Sequence, residues 1–223
     1  MSHHLLSELS EAGIIATLRA PHREAALGAV EALLAGGIRA VEVTYTTPNA
    51  GEVIAELNEK YGDSVILGAG TLTTVEQVQE AAAAGAKFFV SPGFDAEVYD
   101  AIVATGGLSM MGGFTATEVQ WLAKKQVDVV KFFPGSLGGP SALKALRGPF
   151  PHLTYVPTGG VSADNIGDWL VAGAAAVGAG GELIPAAALA SGDFSAISAK
   201  AVEFVKALER ARNSGAAAAN GAR

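Results

Sequence analysis

Cysteine is absent from this chain. That removes disulfides, thiolate metal sites and a cysteine nucleophile together, and it fits the reducing cytoplasm in which the protein is expected to work. Histidine is scarce as well. His3, His4, His22 and His152 fall near the start of the chain or in expected loops and helix starts, with no HxH or HxxxH spacing, so neither a metal nor a cofactor is expected. Long apolar runs are missing. No stretch of about 18 apolar residues occurs, and the opening MSHHLLSELSEAG has no basic segment leading into an apolar one. Neither a membrane span nor a secretory leader is expected. Basic charge is the last scarcity: 15 Lys+Arg against 22 Asp+Glu leave a formal charge of −7. Phosphate backbones select basic surfaces, which argues against nucleic acid as partner. An anionic small molecule remains open, provided a local positive site stands against the acidic field.

Small and apolar residues are what the chain has in plenty. Hydrophobic residues make up 50% of it, 28 residues are glycine, and the mean hydropathy is +0.34. At 223 residues this describes one large core with helices packed tightly on buried strands. One grammar recurs along the sequence: an alanine-rich helix closed by glycine, a few residues, then a short apolar strand. LLAGGIRAVEV, AAAAGAKFFVSPG, ATGGLSMMGG and LVAGAAAVGAG all follow it. Strands are expected to start near Gly13, Ala40, Val65, Lys87, Leu108, Val127, Thr154 and Ala175. Runs apolar on both faces are those of parallel strands covered by helices. Eight such units after a short N-terminal helix predict a single (β/α)8 TIM barrel over residues 1–212. The alternative, a doubly wound open sheet, usually carries a GxGxxG turn after its first strand, whereas here RAPHREA follows. The last stretch, NSGAAAANGAR at 213–223, is small and polar and is expected to be disordered.

In such a barrel the site forms at the C-terminal ends of the strands. Lys131 lies late in the apolar strand VDVVKFFP, whereas Lys87 begins its strand and should sit at the opposite end. An ammonium taken out of water is costly, and a neutral amine is a nucleophile able to form an imine with a ketone. The bland alternative is a strand-end lysine whose head reaches solvent. Glu42, between Val41 and Val43, can meet Lys131 across the lumen as a structural ion partner or as an acid/base. Arg19, ending strand one, is either an anchor for a substrate carboxylate or a surface arginine. Glycine loops follow strands seven and eight, TGG at 158–160 and GAGG at 178–181; they either hold phosphate on backbone amides or only serve close packing. GAGT at 68–71 is similar in form, and the Thr71 hydroxyl could hold an oxyanion.

Taken in order, EVTYTTP, GAGT, SPG, VKFFPGS and PTGGVS resemble the class I aldolase family of 2-keto-3-deoxy-6-phosphogluconate (KDPG) and 4-hydroxy-2-oxoglutarate (KHG) aldolases, across roughly residues 8 to 210. The resemblance implies a homotrimeric barrel that cleaves a 2-keto-3-deoxy-6-phospho sugar acid reversibly to pyruvate and glyceraldehyde 3-phosphate. A keto acid and a phosphosugar acid would be its small-molecule partners. Lys131 would be the Schiff-base lysine and Glu42 the acid/base acting through a water. Thr71, Pro92, Phe133 and Thr158 would line the pyruvate site, with Arg19 and Thr46 also near substrate. Gly159, Gly160, Gly180 and Gly181 would hold the phosphate. Two positions depart from the gluconate pattern: Thr46 stands where an arginine is usual and Gly181 where a serine is. The segment TTP and the later GPSALKAL look more like the 6-phosphogalactonate branch. Two other readings keep the barrel, a sugar-phosphate epimerase or isomerase with Glu42 as base, and a non-catalytic binder of phosphorylated metabolites.

Overall fold

The computed structural model describes residues 2–221, with side chains described for residues 4–214. Eight strands run through it: β1 (Ile14–Leu18), β2 (Ala40–Thr44), β3 (Ile66–Gly70), β4 (Phe88–Ser91), β5 (Leu108–Gly113), β6 (Val129–Phe132), β7 (Tyr155–Pro157) and β8 (Val177–Ala179). Each begins within two residues of the start expected from the repeat. The helices are α1 (Ser2–Ala12), α2 (Arg23–Ala35), α3 (Ala50–Tyr61), α4 (Val75–Ala83), α5 (Ala96–Thr105), α6 (Ala116–Lys125), α7 (Gly135–Arg147), α8 (Ile166–Val171), α9 (Ala186–Ser191) and α10 (Phe194–Gly221).

All strand pairs are parallel, in the order β7-β6-β5-β4-β3-β2-β1-β8. A single bridge, Thr158 to Gly178, joins the two ends and closes the sheet into a (β/α)8 barrel. Alternation along each strand then sorts side chains by face. The outward set packs under the helices, against buried helix residues such as Leu33, Val53, Leu122 and Trp169. The inward set fills the lumen. Its lower layers are apolar, with Ile15, Phe88, Val90, Leu108, Met110, Val129 and Val156, and Leu9 of α1 joins them as a plug at the N-terminal end. Above those layers the inward positions turn polar: Thr17 on β1, Glu42 on β2 and Lys131 on β6, all buried.

Lys87 lies at the opposite end, as its position before β4 predicts, and its Nζ pairs with the exposed Asp63 at 3.0 Å. The backbone continues as helix through 213–221, where composition predicts a disordered tail; alanine has the highest helix propensity and extends a helix already nucleated upstream. Residues 222–223 of that predicted tail lie outside the described residues.

Candidate active site

Lys131 follows Val129 on the inward face of β6, in register with Gly112 on β5 and Val156 on β7. Glu42 follows Ala40 on the inward face of β2, in register with Thr17 and Gly68. The two strands lie across the barrel from each other, so the long side chains meet in the lumen. Both are 2% exposed, and Lys131 Nζ stands 3.5 Å from Glu42 Oε1. That separation is long for a hydrogen bond and leaves the amine loosely held. The neighbours supply the room. A Cβ on Gly70 would overlap the Glu42 carboxylate, and one on Gly112 would overlap the Pro92 carbonyl, so both strands need glycine there. The ring of Phe133 lies under the ammonium, 5.3 Å from Nζ to its centroid. Thr17 Oγ1 donates to Glu42 Oε2 at 3.1 Å.

Above this pair opens a cleft of about 190 Å³ lined by Thr17, Arg19, Phe133, Thr158, Gly159, Gly160, Gly180 and Gly181, among others. The structure thus brings together seven of the residues singled out in the sequence, from strand tops one, six, seven and eight. Gly159 and Gly160 have φ of 92° and 71°, a region closed to most side chains. Around Gly181 a Cβ would meet nothing within 4 Å, so the backbone faces open space. Arg19 is exposed and makes no ion pair among the described residues. An anion entering here meets one free guanidinium and glycine backbone unshielded by side chains.

Arg19 also borders an adjoining cleft of about 410 Å³ with Thr46, Pro21 and Leu189. Thr46 is thus beside the first cleft and outside it. Thr44 Oγ1 donates to the Leu18 carbonyl at 2.9 Å and lies 2.7 Å from Thr46 Oγ1. Since Thr44 has only one hydroxyl hydrogen, Thr46 must donate in that pair and has only lone pairs left to offer a ligand. Thr71 and Pro92 stand on the tops of β3 and β4, outside both clefts. Thr71 has φ 56°, an outlier for a β-branched residue.

Clefts of about 390 and 730 Å³ lie at the N-terminal end, around α1 and Lys87. They are larger but hold no buried ionisable group, so size does not select them. Among the described residues no cluster of three or more His, Asp or Glu could hold a metal. Sequence reading missed Thr17 and Thr44. Thr17 carries the same signal as Lys131 and Glu42, a polar residue inside the apolar run IIATL, two positions before Arg19 and so on the same face.

The family profile described as KDPG and KHG aldolase matches residues 5–200. A 2-dehydro-3-deoxy-phosphogluconate aldolase of Treponema pallidum is 38% identical over 196 residues, covering 87% of this chain and 93% of that protein. A 2-dehydro-3-deoxy-6-phosphogalactonate aldolase of Escherichia coli is 34% identical over 171 residues, covering 76% and 83%. The crystal structure of KDPG aldolase from Legionella pneumophila, with pyruvate captured as a covalent carbinolamine intermediate, superposes with a TM-score of 0.83 at 32% identity, covering 89% of this chain and 97% of that one. The chain with its buried lysine and glutamate at the top of an eight-stranded barrel belongs to the KDPG and KHG aldolase family.

Proposed function

We propose that this protein is a class I aldolase that cleaves a 2-keto-3-deoxy-6-phospho sugar acid reversibly to pyruvate and glyceraldehyde 3-phosphate. One observation carries the reading: Lys131 is buried at the C-terminal end of β6 with Glu42 3.5 Å from its amine. The Lys131 amine attacks the C2 ketone, and loss of water gives a protonated imine. The C3–C4 bond then breaks as the C4 hydroxyl yields its proton, and the imine nitrogen accepts the electron pair, leaving an enamine of pyruvate. Glu42 moves the protons. Thr71, Pro92, Phe133 and Thr158 border the keto acid, Arg19 anchors a substrate carboxylate, the glycine backbone at 159–160 and 180–181 takes the phosphate, and Thr46 faces the sugar chain. Phosphate held at the rim positions the scissile bond over the lysine.

Borohydride with pyruvate is expected to add a covalent mass at Lys131; absence of that adduct sinks the reading, as does full activity in Lys131→Ala. Lys131→Arg separates this from an isomerase, because a guanidinium keeps the charge and cannot form the imine. Lone pairs at Thr46 in place of a cation support a substrate whose sugar hydroxyl, rather than its carboxylate, is read there. Steady-state rates on the gluconate and galactonate epimers decide between the two branches. The homotrimer is carried over from the resemblance of the sequence motifs, and light scattering at the mass of three chains is the check. The lack of cysteine supports a reducing, cytoplasmic setting.

A further inference from the structure

The hydroxyl of Thr17 is buried in the lumen and spends its one proton on Glu42. The side chain is 5% exposed, its register partner on β2 is Glu42 itself, and Oγ1 to Oε2 is 3.1 Å. The carboxylate therefore has two unlike oxygens. Oε2 is occupied by a donor from β1. Oε1 faces Lys131 Nζ at 3.5 Å and is the oxygen nearest whatever is bonded to that nitrogen. Without a second anchor the carboxylate could turn about its last torsion, which is broad and roughly two-fold, and present either oxygen. On the β3 side Oε1 occupies the place a Cβ on Gly70 would take, so no side chain of that residue holds the carboxylate.

We propose that Thr17 is a positioning residue, fixing the Glu42 carboxylate so that Oε1 alone serves as the proton-transfer oxygen in the enamine step. The proposal rests on the aldolase reading. In that step a C–H bond of the imine's methyl group breaks. Its electron pair forms the enamine double bond, the iminium nitrogen accepts the displaced pair, and the proton passes to Glu42 Oε1. The reverse transfer returns it. A hydrogen bond from Thr17 holds the receiving oxygen within reach and keeps Oε2 from competing for the proton.

The test separates imine formation from proton transfer, using pyruvate in both arms. Borohydride trapping run to completion reports the imine on Lys131, and exchange of pyruvate methyl protons for deuterium in heavy water reports the enamine. Thr17→Val keeps the strand-compatible shape and removes the donor; Thr17→Ser keeps the donor. Expected is full trapping in both variants, with exchange slowed about tenfold or more in Thr17→Val, a part of the ~10²–10⁴ that a well-placed acid–base group contributes. Thr17→Ser should exchange close to the unaltered rate. Normal exchange in Thr17→Val overturns the role, and so does a loss in Thr17→Ser as deep as in valine. Loss of trapping along with exchange in Thr17→Val also overturns it, by making Thr17 part of the scaffold around the lysine. If the unaltered protein itself fails to trap pyruvate, the aldolase reading falls and takes this role with it, a result distinct from the others.

Discussion

Burying Lys131 and Glu42 costs several kcal/mol of hydration per ion, and their attraction only offsets it. At 3.5 Å and an effective dielectric of about 20, Coulomb's law gives roughly 5 kcal/mol. A pair that nearly breaks even is poorly explained by stability and well explained by chemistry. Removing one member is another matter, because it strands the other charge. Lys131→Met is expected to destabilise the fold by about 3–5 kcal/mol, and the double variant Lys131→Met/Glu42→Gln to recover most of the loss, since Gln still accepts from Thr17. Urea unfolding of the three proteins measures this. A single variant as stable as the unaltered protein would mean that water compensates Glu42. The pair was legible in the sequence because a charge among valines and phenylalanines has no cheap reason to be there. Thr17 carries a weaker form of that signal, because a threonine in a strand is ordinary, and only the 3.1 Å contact shows which group it serves as partner. The polarity of Thr46 was beyond reach, since it depends on where Thr44 sends its proton.

At the scale of elements the strands were readable because their apolar runs and glycine stops repeat, whereas interruptions within helices were not. In α7, Gly139 has φ 63° just before Pro140, and the helix is kinked there. The loop into α6 shows how an element end is fixed beside β6. Glu118 accepts from the N–H groups of Thr115 and Phe114 at 2.8 and 3.0 Å and from the Thr115 hydroxyl, while Thr115 Oγ1 accepts from the Glu118 N–H. This capping box fixes Phe114, whose ring stacks on Phe132 at 5.2 Å, next in sequence to Lys131. The backbone N–H of Thr115, then that of Phe114, hold the Glu118 carboxyl below its usual value of 4.5. A lowered folded pKa means stability that is present above the unfolded value and lost as pH falls through the folded one. Glu118→Gln is expected to cost about 0.5–1 kcal/mol near neutrality, with the gap to the unaltered protein closing below pH 4.5. Unfolding free energies across pH 3 to 7 test this; a constant gap would assign the effect to shape rather than charge.

The whole molecule closes on its weakest seam, and the candidate phosphate loops sit on it. Between β7 and β8 there is one bridge, Thr158 to Gly178, whereas β1 and β2 share four register pairs. The repeat made eight strands legible, but nothing in it says which neighbouring pair is thinnest, because that depends on how β7 and β8 are cut to three residues each. At the seam Gly178 lies against Thr158, and a Cβ there would overlap its hydroxyl oxygen. Thr158 in turn precedes Gly159 and Gly160, and Gly178 precedes Gly180 and Gly181, so a wedge at this point spreads both loops at once. Gly178→Ala is therefore expected to cost about 1–3 kcal/mol by overpacking. In a chain of this size that lowers Tm by about 2–4 °C per kcal/mol. It should also weaken binding of inorganic phosphate, whereas borohydride trapping of pyruvate on Lys131 run to completion persists at a raised pyruvate concentration, because Thr158 borders the keto acid while β2 and β6 still carry Glu42 and Lys131. Calorimetry, phosphate titration and mass spectrometry on the one variant read the three effects. Unchanged phosphate binding in a destabilised barrel would show that the two loops hold their spacing independently of the seam.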